Sequence, residues 1–379
     1  MRPDRTIVLL FCVILALLAV LFLCWPQTSF SVTEKRALQG RPKFGFAKLT
    51  SGKLTGEVED WYADQFPGRE GLVALQSMTQ ILAGQKQNNG ILLGANGQLA
   101  RWDLGGETPT DRIDQTRLQA ACRGICRAAE TIQVPTVFLF PSRNIDVAEA
   151  AFDYPNLTGE EIRQTLAAEL SAVNFADVTP VLRERYEAGE DVIFRTDHHW
   201  TPLGAYYAYG EVMRAFGRES EILPLDFYRE TVVTGGFGGS YRARGGMPFV
   251  AKEPISVFSG DDEDAYSITA DGKQLSGFYS IPKEVEIGYE LFLDGTHDVV
   301  TIEKPGEERP RLAVFKDSFA NALAPFLARH FDLVLLNLSS AKKDFTNLSE
   351  MACEYGADDV LVVYSVFNLL STNVAARFQ

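Results

Sequence analysis

The chain has 379 residues, 46% of them hydrophobic, enough to fill one large domain or two modest ones. Its formal charge is -14, with a cluster at Asp261–Asp264 and no Lys/Arg block of footprint size, which excludes a nucleic-acid-binding role. Five cysteines give no disulfide framework: Cys12 and Cys24 fall in an apolar segment, Cys122 and Cys126 lie one helical turn apart as small fillers, and Cys353 has no sequence partner.

Residues 1–25 read as a transmembrane helix. Ile7–Trp25 carries no charge and is long enough to cross a bilayer, and Arg2 and Arg5 keep the N-terminus cytoplasmic, so the remainder faces outward. A cleaved signal peptide starts the same way. Bulky Phe22, Leu23, Trp25 and Phe30 spoil a small-residue cleavage site, which favours an uncleaved signal anchor.

Residues 26–100 form a helical leader and a hairpin. Glu57–Phe66 has helical spacing and is ended by Pro67-Gly68, Leu72–Leu82 is amphipathic, and Gly90–Leu99 reads as a β-hairpin turning at Asn96-Gly97. From Asp111, within a domain spanning 101–379, helices alternate with strands. Helices are expected at Arg112–Gln133, Glu160–Phe175, from the Thr179 cap to Ala188, and from the Thr201 cap to Phe216. Strands are expected at Thr136–Phe140 and Val192–Phe194. Residues 225–310 lose helical periodicity and read as a β-rich insertion, with strands at 256–258, 277–280, 289–293 and 299–302 and glycine loops at 235–240 and 244–246. The tail returns to strands at Arg311–Phe315, Asp332–Asn337 and Asp359–Ser365, with helices at Phe319–His330 and Phe345–Tyr355. Strands separated by crossover helices imply an α/β fold of three layers, α/β/α, with a parallel sheet. Ligands bind such sheets at the carboxyl ends of strands, where Asp197, Ser318, Asn337, Ser365 and Asn368 are expected.

Two of the four histidines stand together in Asp197-His198-His199-Trp200. In an extended stretch Asp197 and His199 share a face and His198 points away, so Asp197 can orient His199 as a base. The bland alternative is a pair of hydrogen-bonded structural histidines. Ser318 closes a strand and opens a helix, where it can be a nucleophile beside unpaired N–H groups or simply an N-cap. Together the three supply the parts of a nucleophilic hydrolase or acyltransferase. Arg143 and Asn144 follow a strand and can line the pocket, or form a plain loop. Ser240, after its glycine run, and His297 and Asn368 are further candidates for substrate or oxyanion contacts. His330 at a helix C-terminus is a dipole partner. A metal held by Asp197, His198 and His199 is the rival reading, although no cofactor is expected.

Asp197-His198-His199-Trp200 resembles the signature of the DHHW proteins. Glu34-Lys35-Arg36, Asp64–Arg69, Asn89–Gly94 and Asn96-Gly97 resemble that family's leader. The family is in turn similar to the SGNH-like domains of periplasmic alginate O-acetyltransferases, in which an Asp-x-His-Trp segment precedes the serine. The resemblance implies an SGNH-like domain with Ser318, His199 and Asp197 as its triad. It departs at Lys316-Asp317, where the family serine often follows Gly-Asp, and at Asp294–His297, where an oxyanion asparagine is expected. The expectation is a membrane-anchored, extracytoplasmic (periplasmic or cell-surface) O-acetyltransferase or esterase acting on a cell-surface polysaccharide, with a membrane acyl-donor protein as a possible partner. The alternatives are a catalytically inactive glycan-binding or scaffold protein of envelope assembly, and a metal-dependent esterase.

Overall fold

A computed structural model describes residues 3–31, 36–101, 113–153, 159–281, 287–338 and 348–371. Arg2, Glu34, Lys35, Asp111, Arg112 and Phe345, which figure in the expectations above, lie outside the described residues. The chain forms two compact units.

The first unit comprises Met1–Asn89 and Arg242–Val250. It contains α1 (Pro3–Cys24), α2 (Lys53–Asp64) and α3 (Arg69–Leu82). α1 is long and apolar enough to cross a membrane and can serve as an anchor or a signal peptide. Its last turn is not bare, because the Phe22 ring meets Trp61 and Tyr62 of α2, each at 4.9 Å. Gly68 supplies the left-handed residue at the turn between α2 and α3.

The second unit comprises Gly90–Tyr241 and Ala251–Gln379. The hairpin pairs Ile91–Leu93 with Leu99–Arg101, and Asn96 and Gly97 take the positive φ values its turn needs. An eight-stranded sheet forms the centre. Its strands are β1 (Thr136–Phe140), β2 (Asn174–Asp177), β3 (Ser267–Ala270), β4 (Lys273–Gln274), β5 (Val299–Glu303), β6 (Arg311–Lys316), β7 (Asp332–Leu336) and β8 (Asp359–Val363). Their spatial order is β4-β3-β5-β7-β6-β8-β1-β2. The five strands from β7 to β2 are parallel, and the other three are antiparallel.

The sheet is therefore mixed rather than parallel throughout. Its antiparallel edge is made of the expected β-rich insertion, which extends the main sheet. Only Arg229–Phe237 and Glu253–Ser259 form a separate ribbon. Two expected strands of the insertion do not form: Tyr289–Leu291 is a 3-10 turn, and the 277–280 stretch contributes a single bridge, Tyr279 to Phe292. Conversely, β2 lies where the helix after Glu160 was expected to continue to Phe175, since that helix stops at Glu169.

Alternation along the strands builds two cores. Val137, Leu139, Leu312, Val314, Leu361 and Val363 face one side, where α4 (Pro202–Ala215) and α5 (Phe319–Leu327) pack. Phe138, Phe140, Ala313, Phe315, Val360 and Val362 face the other, covered by helices Gln115–Ile132, Gly159–Glu169 and Leu348–Glu354. A strand buried on both faces reads as an unbroken apolar run, which is why these strands were visible in the sequence. Thr201 caps α4 by accepting from the Gly204 N–H at 3.1 Å, with Pro202 in the first turn.

Candidate active site

The parallel strands bring their carboxyl ends to one edge. Pro141–Asn144 follows β1, Ser318 follows β6, Asn337 follows β7, and Ser365 and Asn368 follow β8. Asp197 arrives differently. Val192–Phe194 is not a strand; the chain makes a tight loop closed by the Ile193–Trp200 bridge, with Phe194 N–H donating to His199 O and Thr201 N–H to Val192 O. The loop sits over α4, whose N-terminus begins where the loop ends.

Within that loop Asp197 and His199 meet through a bend. Asp197 Oδ1 accepts from the His199 backbone N–H at 3.1 Å and lies 2.6 Å from His199 Nδ1. His199 Nε2 is 2.6 Å from Ser318 Oγ. These contacts put the proton on Nδ1 and leave Nε2 to accept from the serine. The expectation that His198 points away is overturned by the same bend. Its ring lies 3.7 Å from that of His199, and its Nδ1 contacts Ser240 Oγ at 2.8 Å. Ser318 stands at the N-cap position of α5 but its side chain makes no capping bond, and Asp317 Oδ1 accepts the Phe319 N–H instead. Asp317 Oδ2 accepts from Ser365 N–H at 2.8 Å and from Asn368 Nδ2 at 2.9 Å, tying the turn at Ser318 to the segment after β8. Among the described residues no acceptor takes the Ser318 N–H.

Of the remaining sequence candidates, Asn144 and Ser240 hold the Asp197 loop and Asn368 holds Asp317, whereas Arg143 and His297 bond elsewhere. Asn144 Nδ2 donates to Phe194 O at 2.7 Å and Asp197 O at 2.8 Å, clamping the loop. Arg143 is buried and grips Asp146 through Nε at 2.8 Å and Nη2 at 2.6 Å. Ser240 donates its N–H to Asp197 Oδ2 at 2.7 Å. His297 instead pairs with Asp271 at 3.2 Å in the turn between β3 and β4. His330 contacts the Tyr209 hydroxyl at 2.7 Å rather than serving only the helix end. The glycine run is no loose turn. It ends the strand at Phe237 and leads into a short helix at Ser240–Arg244. A Cβ on Gly239 would lie 2.4 Å from Asp197 Cβ and from Thr196 O, so only glycine permits this approach.

Two residues of the site carried no sequence signal. Glu253, on the ribbon, accepts from Arg195 N–H at 2.8 Å, Thr196 N–H at 2.7 Å and the Thr196 hydroxyl. Burial pushes its carboxyl up despite these three donors. Tyr289 lies flat on His199, with centroids 3.7 Å apart and planes at 3°. For Asp197, burial alone would raise the carboxyl. The neighbouring His198 and His199, with the bonds from His199 and Ser240 N–H, outweigh it and hold the group well below its ordinary value.

Asp197, His198 and His199 bring three groups of metal-ligating type together. Here His199 Nδ1 and Asp197 Oδ1 are hydrogen-bonded at 2.6 Å, closer than the roughly 3.4 Å between zinc ligands at about 2.1 Å in a tetrahedron. His198 Nδ1 is turned to Ser240. The three side chains do cluster, with ligand atoms within 4.8 Å, but as a hydrogen-bonded set.

Comparison with known proteins bears on the family and the fold. Residues 178–337 match the family described as DHHW protein, so the resemblance carried by Asp197–Trp200 is borne out. A DHHW family protein from Eubacterium siraeum DSM 15702 shares the fold at TM-score 0.62 and 20% identity, covering 76% of this chain and 94% of its own. Bacillus cereus PatB1 does so at TM-score 0.62 and 20% identity, covering 76% and 99%. PatB1 with a sulfonyl adduct gives TM-score 0.60 at 20% identity and the same coverage. A search of curated proteins finds no match.

Proposed function

We propose that this chain is an SGNH-like O-acyltransferase or esterase, anchored by α1, that acts outside the cytoplasm on acetyl esters and hydroxyls of a cell-surface polysaccharide. The observation that carries the reading is the unbroken relay Asp197–His199–Ser318, with both links at 2.6 Å. His199 Nε2 takes the hydroxyl proton as Ser318 Oγ attacks the acyl carbonyl carbon. The tetrahedral oxyanion forms beside the Ser318 N–H and the start of α5. As it collapses, the bond to the leaving alcohol breaks, and His199 returns the proton to that oxygen. The acyl group then sits on Ser318. His199 next deprotonates a sugar hydroxyl or a water, which attacks the acyl-serine and frees Ser318. Asp197 holds Nδ1–H throughout and balances the imidazolium charge.

The test is the Ser318→Ala variant of the full-length chain with para-nitrophenyl acetate, paired with sulfonyl fluoride labelling. The sulfonyl adduct recorded for PatB1 guides that choice of probe. The expected result is loss of turnover and of labelling with an unchanged circular dichroism spectrum. Retained turnover in that variant ends the proposal, and a wild-type chain that neither labels nor turns over leaves the scaffold reading in its place.

A further inference from the structure

Residues 36–53 differ in chemistry from the rest of the chain. Arg36, Arg41, Lys43, Lys48 and Lys53 lie there, with no Asp or Glu among them, in a molecule of net charge -14. Interleaved are Phe44 and Phe46, 75% and 74% exposed, and Leu49, 48% exposed. The first unit also exposes Leu72, Leu75, Met78 and Leu82 on α3, but without a basic run beside them. Among its described residues the second unit exposes only Phe227, Val232 and Ile281 as large apolar side chains. Two benzyl groups left in water, Phe46 opening a single helical turn, Phe46–Thr50, and Phe44 two residues before it, mark a contact surface. Lys48 is paired with Glu57 at 2.8 Å. Arg41, Lys43 and Lys53 have no carboxylate within ion-pair distance among the described residues.

The segment is also fixed where α1 ends. Gln39 N–H donates to Asp64 Oδ2 at 2.8 Å, and Gln65 Nε2 donates to Gln39 O at 3.1 Å and to Thr28 O at 2.9 Å. Asp64 and Gln65 are the next turn after Trp61 and Tyr62, on which Phe22 of α1 packs. The basic–aromatic segment and the outer end of the apolar helix thus share one support.

We propose that Arg41–Lys53 lies on a bilayer bearing anionic headgroups, with Phe44, Phe46 and Leu49 in the interfacial zone and Arg41, Lys43 and Lys53 among the phosphates. Phenyl rings and basic side chains on one short amphipathic stretch are what such a surface selects. Each cation near an anionic surface strengthens association about five-fold, so three together contribute about a hundred-fold. The proposal rests on the reading of α1 as a membrane anchor.

The experiment uses the full-length chain in vesicles of phosphatidylcholine with phosphatidylglycerol, carrying acyl chains brominated near the headgroup. Emission is compared for Phe46→Trp, Phe227→Trp and wild type, with the difference between wild type and Trp25→Phe reporting the anchor. The expected result is at least about two-fold stronger quenching at position 46 than at position 227. Arg41→Gln/Lys43→Gln/Lys53→Gln in the Phe46→Trp background should reduce it, as should omission of phosphatidylglycerol. Position 46 quenched no more than position 227, while Trp25 is still quenched, overturns the surface contact and leaves the anchor standing; the segment then serves an acidic macromolecule. Quenching insensitive to both charge manipulations overturns the anionic-lipid assignment. An unquenched Trp25 in a chain that does not float with the vesicles overturns the anchor and this proposal with it.

Discussion

Replacing Asp197 by asparagine probes the relay at its least replaceable atom pair. The carboxylate receives His199 Nδ1 and N–H on Oδ1 and Ser240 N–H on Oδ2. An asparagine offers one oxygen and one NH2 group. With the oxygen toward His199, the amide nitrogen faces the Ser240 N–H, and a buried donor is stranded at about 1–3 kcal/mol. With the amide reversed, Ser240 is satisfied, but Nδ1 must become an acceptor. The ring proton then moves to Nε2, which can no longer take a proton from Ser318 Oγ. Each arrangement keeps two bonds and strands one N–H, that of Ser240 in the first and the backbone N–H of His199 in the second. The second destroys the base, and to the extent that it is populated kcat should fall, by up to about ten-thousand-fold, equivalent to about 5.5 kcal/mol of barrier. Steady-state hydrolysis of para-nitrophenyl acetate measures this, with urea unfolding of the same sample for stability. Asp197→Asn combined with Ser318→Ala should be no slower than Ser318→Ala alone, because the groups act as a unit. The pH dependence has a definite sign. A carboxyl held below its ordinary value stabilises the fold above the unfolded pKa, and that contribution is lost as pH falls below about 4 through the folded value. The asparagine variant should lack that part of the acid loss. A kcat reduced by less than about ten-fold in a folded variant would refute the reasoning.

Three further outcomes are expected. Gly239→Ala forces a methyl into Asp197 and Thr196; it should cost about 1–3 kcal/mol in urea unfolding and, by shifting the loop about 1 Å, about a hundred-fold in turnover. Tyr289→Leu removes the ring stacked on His199 and the roughly 1 kcal/mol it lends an imidazolium, so turnover should drop several-fold with a shifted pH–rate profile; Tyr289→Phe should retain both, and equal losses in the two variants would assign the effect to the hydroxyl. Burial lowers Lys316 from 10.5 to about 8. Between those values the unfolded chain holds a proton the folded chain has released, so stability should rise with pH across that window by up to about 3 kcal/mol. Lys316→Met should abolish the rise in pH-dependent unfolding, and an unchanged slope would show that the lysine keeps its charge.

What the sequence revealed tracks how local the physics is. The strands of the parallel core are apolar on both faces and were visible as short runs. The Thr201 cap and the Asn96-Gly97 turn act within a few residues, and both formed as expected. Asp197, His199 and Ser318 stood out through residue type and expected strand ends, although the loop geometry joining the first two is a bend rather than a strand. Glu253 and Tyr289 were invisible because each acts on a partner far along the chain, and nothing about a lone Glu in a strand or a Tyr in a turn announces that partner. The 289–293 stretch was mistaken for a strand because its aromatic and aliphatic residues are buried for packing against the site, not for ladder pairing.

The packing of the helix that follows Ser318 has a consequence for the proposed chemistry. Every residue of α5, from Phe319 to Leu327, is buried, so no side of it is open to yield. Under the proposed function, adjustment to a substrate would fall to the side chains at the site that are partly open to solvent, among them His198 and Ser240. Amide protons in the middle of α5 should exchange with deuterium only when the whole domain opens, while those around Ser240 should exchange earlier.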